Sequence, residues 1–295
     1  MHSIKIGTLL GPNTVHTIPQ LIGYGFETFS ITFWQTAKDI DLPALADKVK
    51  KLLDGTPCYI SSLSMFGNPL MDTPEGMEAR EGWAALIDAA ALFGTDMVTG
   101  FTGALVNQSV DAAIPKFREV FEPLAKRAQD KGVRIAFENC SMGGNWDICT
   151  MNLAMLPKAW DLLFEALPYD NVGLQWEPCH QMVQLIDPIP QLRKWVAKGK
   201  IFNLHGKDAT IAWDIIKEYG IYGGEEFAWH RTPGFGDSDW RNIITILRMG
   251  GYTGSIDIEG YHDPVYRGEL EYTGQVTGLN YLKQCRGGEF IVNPE

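Results

Sequence analysis

The sequence predicts an α/β protein in which one parallel sheet of eight strands closes into a (β/α)8 barrel. Three observations predict it. Strand-like apolar segments alternate with helix-like segments along the whole chain, the pattern that builds parallel sheets. No linker-like break or low-complexity tract divides them, so residues 1–295 read as a single domain, with a short C-terminal extension after about residue 285. The length of 295 residues is close to the roughly 250 of an eight-unit barrel. A doubly wound open sheet is the competitor. It is disfavoured because no glycine fingerprint opens a helix after the first strand.

The elements follow in order. Strand one is Ile4 to Leu10, before a short helix from Thr17 to Tyr24. Strand two is Thr28 to Phe33, and a helix follows from about Pro43 to Leu53, proline suiting its first turn. Strand three, Tyr59 to Phe66, runs into the loop Gly67-Asn68-Pro69-Leu70. A helix from about Glu75 to Phe93 carries Trp83, Leu86, Ile87 and Ala90 at helical spacing. Strand four is Met97 to Phe101, and a long helix spans about Val110 to Asp130. Strands five to eight are Arg134–Glu138, Val172–Glu177, Ile201–His205 and Ser255–Glu259. Helices lie near Leu153 to Leu167, Ile189 to Lys198, Trp240 to Met249 and Tyr272 to Gln284.

Composition narrows the function. Hydrophobic content of 45% with 31 glycines fits a globular enzyme with many turns, not disorder. No apolar run reaches the roughly 20 residues of a membrane span, and the N-terminus enters a strand without a signal-peptide pattern, so a cytoplasmic location is expected. The net charge of −11 argues against nucleic acid and anionic membrane as partners. The five cysteines are odd in number, show no CxxC spacing, and are expected to stay reduced.

The chemistry concentrates at strand ends. In Trp176-Glu177-Pro178-Cys179-His180 the proline cannot donate to a ladder, so the strand stops near Glu177 and delivers a carboxylate and an imidazole together. The last four strands each end in a potential metal ligand: Glu138, Glu177, His205 and Glu259. In a barrel the C-terminal strand ends surround one cavity. Each glutamate alone reads as a solvated loop residue, and His205 alone as a core histidine. Repetition at four consecutive strand ends points to one site. Three converging carboxylates repel without a cation, and an oxygen-rich set with one imidazole suits one divalent ion, Mn²⁺ ahead of Mg²⁺ or Co²⁺.

Glu138-Asn139, Glu177-Pro178-Cys179-His180, His205-Gly206-Lys207-Asp208 and Ile258-Glu259-Gly260 resemble the motifs of the xylose isomerase-like TIM barrels, a superfamily of sugar and sugar-phosphate isomerases and epimerases. The resemblance reaches from strand one through Pro233-Gly234-Phe235-Gly236-Asp237-Ser238-Asp239-Trp240. It implies that Glu138, Glu177, His205 and Glu259 hold the metal, and that Glu138 and Glu259 pass a proton beside a ketose carbonyl through an enediolate. Many relatives carry aspartate where this chain has Glu177; the longer side chain shifts the metal or binds it through both oxygens. The resemblance places His180 against the substrate, with a partner of Glu177 as the alternative, and Arg231 against the substrate or the metal-bound oxygens. Relatives of this kind often form dimers or tetramers.

Other residues are read directly. Lys207 alternates with His205 onto one side of the strand, to neutralise an enolate or contact a sugar oxygen, or to pair with Asp208 or Glu177. Trp34 and Phe66 either stack on a sugar face or pack, and Asn68 offers an amide to a hydroxyl. Asp257 lines the barrel as a paired acid, and His262 borders the pocket. His2, His16 and His230 read as ordinary surface or loop histidines. Cys140 and Cys179 read as small packing residues, and the glycine-rich segment 223–236 as a lid. The leading expectation is an isomerase or epimerase of a sugar, sugar phosphate or keto-inositol. The alternative is a lyase on the same scaffold, eliminating a group β to the ketone of a keto-inositol or 3-oxo-glycoside. A phosphodiester endonuclease needs more histidines and a basic surface. A non-catalytic sugar-binding module has no need of three buried carboxylates.

Overall fold

The computed structural model describes residues 4–287 and 294. Eight parallel strands close a barrel in the spatial order β1-β10-β7-β6-β5-β4-β3-β2. They are β1 (Lys5–Leu10), β2 (Thr28–Trp34), β3 (Tyr59–Phe66), β4 (Met97–Gly100), β5 (Arg134–Glu138), β6 (Val172–Trp176), β7 (Ile201–Gly206) and β10 (Ser255–Ile258). Chain order becomes spatial order because each strand returns through a crossover that contains a helix. The crossover helices are α1 (Ile18–Tyr24), α2 (Leu42–Leu53), α3 (Pro74–Ala89), α4 (Val110–Asp130), α5 (Pro157–Ala166), the single turn α6 (Cys179–Met182) with α7 (Pro188–Ala197), and α9 (Trp240–Met249), and α10 (Glu271–Arg286) follows the last strand.

The helix starts are chemically marked. Asp41, Thr73, Ser109 and Asp239 each accept a backbone N–H at the first turn of α2, α3, α4 and α9, satisfying donors that have no intrahelical partner. The expected helix from Leu153 begins only at Pro157, because Leu153 N is held instead by Thr102 Oγ1 at 2.7 Å. The helix expected to run through Phe93 ends at Ala89 and continues as a 3₁₀ turn, Ala90–Phe93. The C-terminal extension expected after about residue 285 lies largely outside the described residues, since α10 runs to Arg286.

One excursion departs from the eight-unit pattern. Between β7 and α9 the chain forms an antiparallel arm, β8 (Asp208–Ile211) against β9 (Ala228–Arg231), with α8 (Trp213–Tyr219) between them. The segment read as a glycine-rich lid is the returning half of this arm. Its base is fixed by Asp208, whose carboxylate accepts from the backbone N–H groups of Ala209 and Ser238, at 2.8 and 3.0 Å, and from Trp240 Nε1, at 3.2 Å. Gly236 allows the close approach: a Cβ there would fall 2.5 Å from Asp208 Oδ1.

Two cores result. Between sheet and helices lie Trp83, Phe117, Phe121, Phe137, Trp160 and Trp195, all buried. Inside the barrel the filling is polar. Ser30 bonds Ser62 and Ser64, Ser64 bonds Thr99, and Asp257 accepts from Thr28 and Ser255 at 2.7 and 2.8 Å. Asp257 is therefore buried as expected, but its partners are hydroxyls rather than a second acid.

Candidate metal centre

Strand alternation aims the acids. In β5, Phe137 faces the helices, its ring centroid 4.9 Å from Phe121 and 6.1 Å from Trp83, which turns Glu138 into the barrel. Leu204 and Ile258 occupy the outer core in the same way, and His205 and Glu259 follow them inward. The result is a cluster of buried groups drawn from three strands. His205 Nδ1 lies 2.8 Å from Glu138 Oε1 and 3.1 Å from Glu259 Oε2. Ligand atoms of Glu138, His205 and Glu259 all lie within 4.8 Å of one another.

Glu177 is the third acid and is not one of that close group. It follows β6, fully buried, with Oε1 2.6 Å from His180 Nε2 at an angle that makes no hydrogen bond. Asn139 sets its backbone: the amide Nδ2 donates to Glu177 O and Oδ1 accepts from Glu177 N, both at 2.9 Å. This role for Asn139 was not foreseen, although it directly follows Glu138. Asn152 braces the neighbouring strand end, donating to Glu138 O at 2.8 Å and Cys140 O at 2.7 Å. Replacing Asn139 with alanine is expected to lower metal affinity about 10–100-fold, as loss of groups that orient ligands does. Titration calorimetry with Mn²⁺ checks this; unchanged affinity would show that Glu177 needs no such support.

Charge and hydrogen bonding show whether these residues fit a metal. Burial raises the Glu138 carboxyl above its ordinary range, and pushes Glu177 up to about 7 against the pull of Lys207. Glu259 goes the other way: against burial, Lys207 and His205 hold it well below the ordinary range. Burial opposes a proton on His205, but the bond to Glu138 and the neighbouring Glu259 carboxylate override it and push the imidazole up to about 10. Lys207 Nζ sits 2.7 Å from Glu259 Oε1, so that carboxylates outweigh its burial and hold the ammonium charged. Both carboxylate oxygens of Glu177, Glu259 Oε2 and His205 Nε2 are buried without a hydrogen-bond partner. In the form that ligates a metal, with the carboxyls ionised and His205 having given up its proton, three carboxylates and one lysine sum to a charge of minus two, which one divalent ion cancels. Orphaned oxygens and this charge deficit make the donor set fit a divalent cation.

The remaining expected residues divide. His180 is buried beside Glu177 and 3.4 Å from Lys207 Nζ, with burial pushing it down to about 3, so it stays neutral. Lys207 pairs with Glu259 rather than with Asp208, which anchors the arm. His262 borders the site, Nε2 3.3 Å from Glu259 Oε1. Phe66 packs between Phe101 and the edge of His205, centroids 4.8 and 6.3 Å away. Trp34 stands 58% exposed at the end of β2, open to contact.

Two residues expected at the substrate also hold protein groups, and one expectation, for His230, is corrected. Asn68 Oδ1 is occupied by the backbone N–H groups of Ala104 and Leu70, at 2.8 and 3.3 Å, so this amide braces a loop. Arg231 Nε is held by Asp263 at 3.0 Å on the arm. His230 is not an isolated loop histidine. Strand β9 brings its ring to 5.2 Å from His180 and 5.7 Å from His262, and His180, His230 and Cys179 also place ligand atoms within 4.8 Å. Short strand-like alternation in Ala228-Trp229-His230-Arg231 is the signal that could have placed it. His2 lies outside the described residues. Burial pushes the Cys140 and Cys179 thiols well up, which suits packing rather than reactive thiolates.

A cavity of about 610 Å³ also opens at the opposite end of the barrel, lined by Tyr59, Ser61, Asp96, Arg134, Asn203 and Tyr252. It adjoins strand starts, where barrels carry stability rather than chemistry. No described helix is long and apolar enough to cross a membrane.

Comparison with known proteins agrees with the architecture. An inosose dehydratase of Clostridium tetani (strain Massachusetts / E88) is 25% identical over 166 residues, 55% of this chain and 51% of that protein, so the match spans about half of the curated relative's length. The solved 3-keto-D-glucoside 4-epimerase of E. coli superposes with a TM-score of 0.70 at 16% identity, covering 96% of this chain and all of that one. A structure described as the IOLI protein with a binding zinc atom gives 0.64 at 18% identity, covering 96% of each chain. At these identities the solved structures show a shared fold. The family profile described as xylose isomerase-like TIM barrel matches residues 20–285. The chain belongs to the xylose isomerase-like TIM barrel family.

Proposed function

We propose that this chain is a divalent-metal-dependent isomerase or epimerase of a keto sugar, sugar phosphate or keto-inositol, working by proton transfer next to the carbonyl. The observation that carries this reading is the buried group of Glu138, His205 and Glu259, joined by Glu177, with unpartnered oxygens and a charge deficit of two. Glu138, Glu177, His205 and Glu259 would hold the metal, with Mn²⁺ favoured by the oxygen-rich donors. When bound, the ion supplies Lewis-acid polarisation of the carbonyl and charge to balance an enediolate.

The chain's own groups supply the proton chemistry. Glu138 and Glu259 sit in environments that push their proton affinities apart, the arrangement that assigns acid and base roles to paired carboxylates. Glu259, held ionised by Lys207 and His205, takes the proton from the carbon beside the carbonyl. Glu138, whose carboxyl burial makes harder to ionise, returns one to the enediolate. Lys207 steadies the negative charge, and the neutral imidazole of His180 meets a substrate hydroxyl as donor or acceptor.

A second reading, elimination from the same enediolate, is favoured by the match to an inosose dehydratase. The two share the deprotonation and part when a group leaves the β carbon. Incubating keto sugars and keto-inositols with Mn²⁺-loaded protein in D₂O separates them by NMR. An epimeric or isomeric product carrying deuterium beside the carbonyl supports the first, and an unsaturated product the second. Turnover undiminished by EDTA would overturn both.

A further inference from the structure

Between the β8–β9 arm and the loop after β10 lies a cavity of about 500 Å³, lined by Glu226, Trp229 and His230 on the arm and by His262 and Arg267 on the loop. Its size falls in the ~300–1,000 Å³ range of small-molecule sites. It adjoins the proposed reaction site through two imidazoles. His262 Nε2 is 3.3 Å from Glu259 Oε1, and the His230 ring lies between those of His180 and His262, at 5.2 and 5.7 Å. A substrate reaching Glu259 can therefore extend along this wall into the cavity.

The lining defines what would bind there. His230 Nδ1 is buried and bonds no described protein atom, so it is available to a ligand. Burial, with Lys207 nearby, pushes this imidazole down to about 3, and in its neutral form it offers one donor and one acceptor. Trp229 adds a flat apolar face of the kind that covers the C–H side of a sugar ring. Glu226 and Arg267 contribute one carboxylate and one guanidinium, which balance. The neighbouring cations are already engaged, Lys207 by Glu259 and Arg231 by Asp263. This wall suits an uncharged polyhydroxyl group better than a phosphate.

We propose that the cavity is a subsite for a second sugar ring, so that the keto sugar acted on in the barrel is presented as a glycoside. The inference rests on the proposed function and names the substrate class of that site. The test compares a 3-keto-hexose, free and as the keto ring of a disaccharide, on the Mn²⁺-loaded full chain, with a keto-inositol as a third substrate. The disaccharide should show kcat/KM at least about tenfold higher, equivalent to ~1.4 kcal/mol. Trp229→Ala should bring that ratio toward one, and so should Arg267→Ala, which changes an exposed residue on the opposite wall. Calorimetry of the unoxidised disaccharide and monosaccharide should show the same preference and the same loss. A ratio near one in the native protein, or a preference that survives both substitutions, overturns the subsite. Turnover of the keto-inositol alone also removes the subsite while leaving metal-dependent proton transfer standing. No metal-dependent turnover of any of the three overturns the functional reading and the subsite with it.

Discussion

Glu259→Gln and Glu138→Gln are each expected to lower turnover by at least about 10³-fold, within the range for removing a positioned acid or base. The amides keep the size of the side chain but can neither accept the substrate proton nor return one. They also remove a unit of negative charge from a site whose deficit of two fits a divalent ion, so metal content by elemental analysis should fall in both. The variants need not behave alike in stability. Glu259→Gln leaves Lys207 charged and buried beside a neutral amide, whereas Glu138→Gln removes an acid that burial already penalises. Undiminished metal binding in both variants would show that the ligand set is wrong.

Glu177→Gln is expected to act in opposite directions on the metal-free and metal-loaded protein. In the folded chain this carboxyl, fully buried, is pushed from 4.5 up to about 7. Between those pH values the unfolded chain releases a proton that the folded chain keeps, so stability falls as pH rises and is lost by the time pH passes the folded value. The loss reaches about 3 kcal/mol above pH 7. Glutamine cannot ionise and does not incur it. In EDTA at pH 8, Glu177→Gln should unfold at higher temperature than the native chain. With Mn²⁺ present the order should reverse, because only the native carboxylate gains the ion. A metal-free variant less stable than the native chain at pH 8 would show that this carboxylate is satisfied by the protein alone.

The barrel and its four acidic or imidazole strand ends were legible because each signal is local. An apolar strand announces itself by residue type, and alternation then decides which way the next side chain faces. Phe137 before Glu138 and Leu204 before His205 are enough to turn the polar groups inward. What was not legible depended on partners far away in sequence. Asp257 looks like an acid waiting for a second acid until Thr28, brought alongside by barrel closure, supplies a hydroxyl. Asn68 reads as a substrate amide, and nothing near it in sequence shows that the backbone of Ala104 donates to its oxygen. His230 lies in a stretch whose glycines suggested a loose loop, and only the antiparallel pairing of Ala209 with His230 brings it to the site. Lys207 reads against the substrate or against Asp208 or Glu177, and strand spacing does not point to Glu259, which only barrel closure brings alongside.

The β8–β9 arm leaves and rejoins the barrel at almost one point, since Asp208 pairs with Arg231 at its base and Asp208 is tied to Ser238 and Trp240 beyond it. Strands β7 and β10 pair with each other below the arm, in register from Leu204 with Ile256. The arm is thus an appendage hung from a closed frame. Its outer part, residues 212–227, can be lengthened, shortened or exchanged without altering the spacing of the strand ends that carry the acids. Such a frame separates inheritance of the chemistry from inheritance of the specificity. On the proposed function, the first would rest on barrel closure and the second on the arm.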